Sequence, residues 1–308
     1  MFEVDELAGV IPALVSPLKR DGSVDEDAIP RLVQHVLDGG VHGLLALGST
    51  GETASLDESS RRKVLGAVVR AAEGRVPVLC GVAQSHLAAS RAEVEAAARL
   101  GADVALVAPP FYYPMNQPSV LAFFRQLAER SPLPLFLYHI PQFTKVVSEP
   151  ATVAILAREG TIAGIKDSSR DFEYFEGVCI ATRDLPGFRI FTGSDAMLLP
   201  SMAMGGAGTI CGAANVAPHW VVRIYDDYRR GDLAAARKSQ DALYQLVVAV
   251  RAGVFPAAIK AALQLQGICE PWLAPPVQEL DERLKARLRE QLAGWGLLTA
   301  AAPDPIRS

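Results

Sequence analysis

The feature that most constrains the fold is a set of eight short, β-rich apolar runs, at 10–15, 43–47, 76–81, 104–108, 133–138, 162–165, 189–192 and 208–211. Between most of them lie helix-length segments whose apolar residues recur every three or four positions, as at 27–38, 58–72, 88–100 and 119–129. The runs lack polar alternation, as expected of parallel strands covered on both faces, and parallel neighbours need a crossover element. Eight strand–helix units predict a closed (β/α)8 TIM barrel, with an open doubly wound sheet as the competing architecture. After 216 the strand pattern stops, and 220–293 reads as helices, including 232–251 and 280–292, with turns at 253–256 and 270–276. The expected organisation is a barrel over 1–226 and a C-terminal helical domain over 227–308, with 300–308 frayed.

Composition narrows the function classes. A chain of 308 residues, half of them hydrophobic, can bury a large core without disulfide staples. A formal charge of −4 argues against a broad basic face for nucleic acid or anionic lipid, and the pairs Arg61-Arg62 and Arg229-Arg230 read as solvated helix faces. Cys80, Cys179, Cys211 and Cys269 are widely spaced with no CxxC pair and read as buried thiols. The acidic start MFEVDELAGV lacks the pattern of a signal peptide, and no stretch approaches the roughly 20 apolar residues of a membrane span. These features predict a cytoplasmic protein with a small-molecule partner, not a nucleic acid or a membrane.

In a barrel of this kind, chemistry sits at the C-terminal ends of the strands. There the chain carries Gly48-Ser-Thr-Gly-Glu52, Pro110-Phe-Tyr-Tyr-Pro114, Tyr138-His-Ile-Pro141 and Gly164-Ile-Lys-Asp-Ser-Ser169. Lys166 follows an apolar run that would carry its ammonium into the barrel mouth. Burial disfavours a charged amine and makes it nucleophilic toward a carbonyl carbon. Position alone leaves a second reading open, a structural lysine that pairs with Asp167 or snorkels outward. Lys63, Lys238 and Lys285 fall on polar helix faces and Lys260 in an Ala-rich helical run, and all four read as ordinary.

Tyr138 should share the mouth with Lys166, where a phenol can relay protons or merely pack. The glycines and hydroxyls of 48–52 suit a small anion, although the same residues could cap the following helix, with Glu52 in its first turn. His35, His42, His86, His139 and His219 show no metal-ligand spacing, and no GxGxxG follows the first strand, so neither a metal nor a nucleotide cofactor is expected.

Together these loops resemble the dihydrodipicolinate synthase / N-acetylneuraminate lyase family of pyruvate-dependent class I aldolases. The resemblance spans nearly the whole chain and rests on GSTGE at 48–52, YHIP from 138, GIKDSS at 164–169, TGSD at 192–195 and GTICGAANV at 208–216. It implies Lys166 as the Schiff-base lysine, Tyr138 as proton relay, and Thr50 with Ser49 and Gly48 as carboxylate binder and relay partner. It further implies Tyr112 as a tyrosine lent across a tight dimer interface, Ile210 as an apolar contact to pyruvate, and a homotetramer of two such dimers. Ser168, Gly193, Asp195 and Phe143 would line the end that recognises the rest of the substrate.

The departures bear on that substrate. The synthase branch carries an arginine where this chain has Phe143, which removes a guanidinium fork for a carboxylate acceptor. The sialic acid lyase branch has a glutamate at the position of Ala196 and a serine at that of Gly212. GSTGE, GIKDSS and TGSD are nearer to the 2-keto-3-deoxy sugar acid aldolases. The leading expectation is therefore reversible aldol cleavage of a 2-oxo-3-deoxy acid to pyruvate and an aldehyde, with a dehydratase of such acids, the synthase reaction and a non-catalytic binding barrel as alternatives.

Overall fold

A computed structural model of the chain describes residues 3–298. It contains eight parallel strands: β1 (Gly9–Pro12), β2 (Leu44–Ala46), β3 (Val78–Val82), β4 (Val104–Val107), β5 (Leu135–His139), β6 (Gly164–Asp167), β7 (Arg189–Thr192) and β8 (Gly208–Cys211). Each pairs with its sequence neighbour from β2 to β8, and β8 returns to β1 over four residues. The remaining seam is closed by a parallel bridge between Ala13 and Leu45, where Leu14 N–H donates to the Leu45 carbonyl at 2.9 Å. A closed barrel, not an open sheet, is the outcome.

Around it run α1 (Ala28–Asp38), α2 (Glu58–Ala72), α3 (Leu87–Arg99), α4 (Gln117–Ala128), the single turn α5 (Pro141–Thr144), α6 (Pro150–Arg158), α7 (Phe172–Ala181) and α8 (Leu198–Ala203). Four more helices, α9 (Pro218–Arg229), α10 (Leu233–Ala249), α11 (Ala257–Leu265) and α12 (Glu282–Gly294), follow among the described residues. All eight apolar runs became strands, with one shift that matters. The sixth lies two residues later than the run at 162–165, so Lys166 is part of the strand and does not follow it. The segment 300–308, expected to fray, lies outside the described residues.

Alternation along each strand sends side chains to two separate cores. Ile11, Leu45, Leu79, Leu106, Phe136, Phe191 and Ile210 fill the barrel interior, while Val10, Leu44, Cys80, Ala105, Leu137 and Ile165 pack outward beneath the helices. Gly164 makes the inner layer possible. A Cβ there would lie 2.6 Å from the Phe136 ring, so the space above β6 belongs to an aromatic from β5. With Ile165 outward, Lys166 must point inward, above that plug.

All four cysteines are buried, and burial pushes the Cys269 thiol up to about 12 and Cys179 to about 11. Arg62, Arg229 and Arg230 are exposed as expected, whereas Arg61 turns inward and pairs with Glu93 at 2.7 Å. Among the described residues, no helix is long and apolar enough to cross a membrane.

Candidate active site

β5 and β6 run in register, Tyr138 opposite Lys166 and His139 opposite Asp167. The first rung faces the barrel interior and the second faces the helices. On the outer rung His139 Nδ1 lies 2.9 Å from Asp167 Oδ1, the imidazole stacks on Tyr174 at 4.0 Å, and the Tyr174 hydroxyl donates to the Ser148 carbonyl at 2.6 Å. Burial raises the Tyr174 phenol, which therefore stays protonated and able to donate. Asp167 Oδ1 also accepts the Ser169 N–H at 3.0 Å. Asp167 is thus engaged on the far side of the strand, which removes the reading of Lys166 as its partner.

On the inner rung, Lys166 is 3% exposed, and its Nζ sits 4.5 Å from the centroid of the Tyr138 ring. The ring face attracts the ammonium form electrostatically and gives the lysine a defined place in an otherwise apolar interior. The Tyr138 hydroxyl lies 3.3 Å from Ser49 Oγ. Gly193, at the end of β7, makes the third wall. A Cβ on it would lie 1.9 Å from Ser168 Oγ and 2.9 Å from Lys166 Cε, so only a residue without a side chain leaves the lysine its position.

The loop 48–52 is not the cap of α2. Asp57 takes that role, its carboxylate accepting the Ser60 N–H at 2.7 Å, and 48–52 is left free to line the barrel mouth. Ser49–Gly51 form one 3-10 turn, and Glu52 adopts a left-handed conformation at φ 57°. Glu52 is buried instead of entering the first turn of α2. Its Oε1 lies 2.5 Å from Lys260 Nζ, and its Oε2 accepts the Ala274 N–H at 2.7 Å. Lys260 also donates to the Trp272 carbonyl at 2.6 Å. Lys260 is therefore not an ordinary surface lysine. It is 0% exposed, and burial lowers its pKa while the Glu52 carboxylate acts in the opposite direction. The run Ala257–Leu263 is buried on all sides, a pattern that demands a buried partner for any charge within it.

These elements enclose a cavity of about 510 Å3. Of the eleven residues predicted for the site, nine line it: Ser49, Thr50, Tyr138, Phe143, Lys166, Ser168, Gly193, Asp195 and Ile210. Gly48 stands just outside, as the extended residue before the 3-10 turn. Tyr112 is also absent from it. It is 81% exposed on the β4–α4 loop, at φ 87°, with Tyr113 edge-on at 5.0 Å. Asp195 serves partly as a brace, its Oδ1 accepting the Ala213 N–H at 2.8 Å to join the ends of β7 and β8.

The lining residues that sequence reasoning did not place in the site include Gln142, Arg170, Arg251 and Phe255. Arg170 directly follows GIKDSS and was there to be noticed. Arg251 and Phe255 come from the turn between α10 and α11, and no pattern in the chain shows that this turn folds over the barrel mouth. Among the described residues, no group of three His, Cys, Asp or Glu side chains is placed to hold a metal ion.

Comparison with known proteins agrees with this architecture. The model of the dihydrodipicolinate synthetase family matches residues 6–294. The chain is 38% identical over 292 residues to an uncharacterised DapA-like lyase of Halobacterium salinarum, covering 95% of each. It is 36% identical over 298 residues to a 4-hydroxy-tetrahydrodipicolinate synthase of Methanoculleus marisnigri, covering 96% of this chain and 100% of the relative. Among solved structures it resembles YagE of Escherichia coli K12, a prophage protein of the dihydrodipicolinic acid synthase family in complex with pyruvate. The TM-score is 0.91 at 29% identity, covering 94% of this chain and 99% of that one. The chain belongs to the dihydrodipicolinate synthetase family and is a pyruvate-dependent lyase of the class I aldolase type.

Proposed function

We propose that the chain catalyses reversible aldol cleavage of a 2-oxo-3-deoxy sugar acid to pyruvate and an aldehyde, through an imine on Lys166. The observation that carries this reading is a buried lysine amine over the face of Tyr138, in a cavity with room for more than a three-carbon acid. The neutral amine adds to the C2 ketone, and the carbinolamine loses water to give an iminium. Tyr138, with Thr50 and Ser49, moves the protons for these steps. The C4 hydroxyl then gives up its proton, the C3–C4 bond breaks, and its electron pair passes into the iminium to form an enamine. Protonation at C3 and hydrolysis release pyruvate and restore the amine. The lysine supplies its own electron sink, so the reaction needs no cofactor.

The hydroxyls and backbone N–H groups of Ser49 and Thr50 would hold the pyruvyl carboxylate, and Ile210 its methyl side. A second reading, condensation of pyruvate with aspartate semialdehyde, is favoured by the synthase relatives, while Phe143 weighs against it. Treatment with pyruvate and borohydride should add a covalent mass to the peptide containing Lys166. An absent adduct, or one that persists in Lys166→Ala, removes the imine. Pyruvate release from 2-keto-3-deoxygluconate, compared with condensation on aspartate semialdehyde, separates the two reactions.

A further inference from the structure

The cavity has a second end, which the imine chemistry does not use. Its floor is the Lys166–Tyr138–Ser49 cluster, but its rim is built from the residues after β6 and from the α10–α11 turn. Two arginines stand there, Arg170 from the barrel and Arg251 from the C-terminal helices. Neither takes part in an ion pair or a hydrogen bond to a carboxylate among the described residues. Burial first, and then the neighbouring Arg170 guanidinium, hold Arg251 below the ordinary value of its group. Two like charges have thus been brought to one rim of the cavity, where neither is tied to a carboxylate by an ion pair or a hydrogen bond. The nearby Asp195 carboxylate acts on Arg251 in the opposite direction, while its Oδ1 accepts the Ala213 N–H.

From this arrangement we propose that Arg170 and Arg251 form a subsite for an anionic group at the far end of the substrate. The inference rests on the imine reading, which places the 2-oxo end at Lys166. Guanidinium pairs recognise planar or tetrahedral oxyanions through directed N–H donors, and an anion between them relieves their mutual repulsion. The fork that is missing at Phe143 is therefore supplied by residues outside the tyrosine loop. A phosphate ester and a terminal carboxylate share this chemistry, and the aldehyde end of the reaction tells them apart.

The experiment compares kcat/KM for condensation of pyruvate with glyceraldehyde, glyceraldehyde 3-phosphate and tartronate semialdehyde, in the intact protein and in Arg170→Gln and Arg251→Gln. The expected result is a preference for one of the charged aldehydes over the neutral one. Each substitution should lower that preference by roughly tenfold, the worth of one charge-assisted hydrogen bond pair at a partly exposed site. Added salt should shrink it further. The ratio is internal to each variant, so a loss of folded protein does not imitate the effect. Equal use of all three aldehydes by a protein that still traps pyruvate on Lys166 overturns the subsite and leaves the imine intact. Failure to trap pyruvate overturns the imine reading instead. A preference unchanged in both variants assigns the anion to other residues and also overturns the subsite.

Discussion

Lys166 owes its place to the packing of its neighbours. Gly164 lets Phe136 fill the barrel beneath it, Tyr138 faces its ammonium, and Gly193 leaves room for its Cε. The last of these is open to a direct test. In Gly193→Ala the new methyl must displace Ser168 Oγ or the lysine chain, an overpacking strain of about 1–3 kcal/mol. Because that strain falls on the lysine and its serine neighbour, pyruvate trapping by borohydride should slow by roughly tenfold or more while the protein stays folded. Trapping at the unaltered rate would show that Gly193 is not needed to seat the amine. By contrast, the thiols of Cys80, Cys211 and Cys269 are buried and raised, and take no part in this chemistry.

Between elements, a buried pair ties Lys260 on α11 to Glu52 after β2. It joins the loop carrying Ser49 and Thr50 to the helices that close the barrel mouth. With the Trp272 carbonyl and the Ala274 N–H completing the set, both charged groups have partners. Removing one leaves the other as an uncompensated buried charge, at a cost of about 3–5 kcal/mol. Chemical denaturation should therefore find Glu52→Gln and Lys260→Met each destabilised by that order, and Glu52→Gln/Lys260→Met by much less than their sum. Additive losses would mean that the two side chains do not act as a pair. Strand register works in the same way on a smaller scale, since His139–Asp167 locks the outer rung whose inner counterpart is Tyr138–Lys166.

At the scale of the molecule, the exposed tyrosine loop is the outstanding feature. Tyr112 and Tyr113 are both solvent-facing, next to a barrel mouth whose lining includes neither. We propose that the protein is a homotetramer of two tight dimers in which Tyr112 enters the partner's site. Sedimentation should give a tetramer, and Tyr112→Ala should lower turnover at least tenfold. Mixing Tyr112→Ala with Lys166→Ala protein should restore part of the activity, because some sites then combine an intact lysine with an intact tyrosine from the neighbour. A monomeric protein, or mixtures without recovery, would sink the proposal.

Much of the barrel was legible because it depends on local pattern: unalternating apolar runs, helical periodicity between them, and reactive residues at the run ends. The inner face of β5 and β6 followed from strict alternation once the register was known, yet the register itself moved Lys166 from a loop into a strand. What stayed hidden involved pieces of chain far apart in sequence. Lys260 read as ordinary because its carboxylate lies 208 positions away, and Arg251 because nothing local shows that the α10–α11 turn reaches the site. The sequence by itself determined the parallel barrel and the cluster of Lys166, Tyr138 and Ser49. Only tertiary structure decided that Arg170 and Arg251 share a rim and that Glu52 holds Lys260, because a charge buried by folding takes its partner from wherever the chain returns.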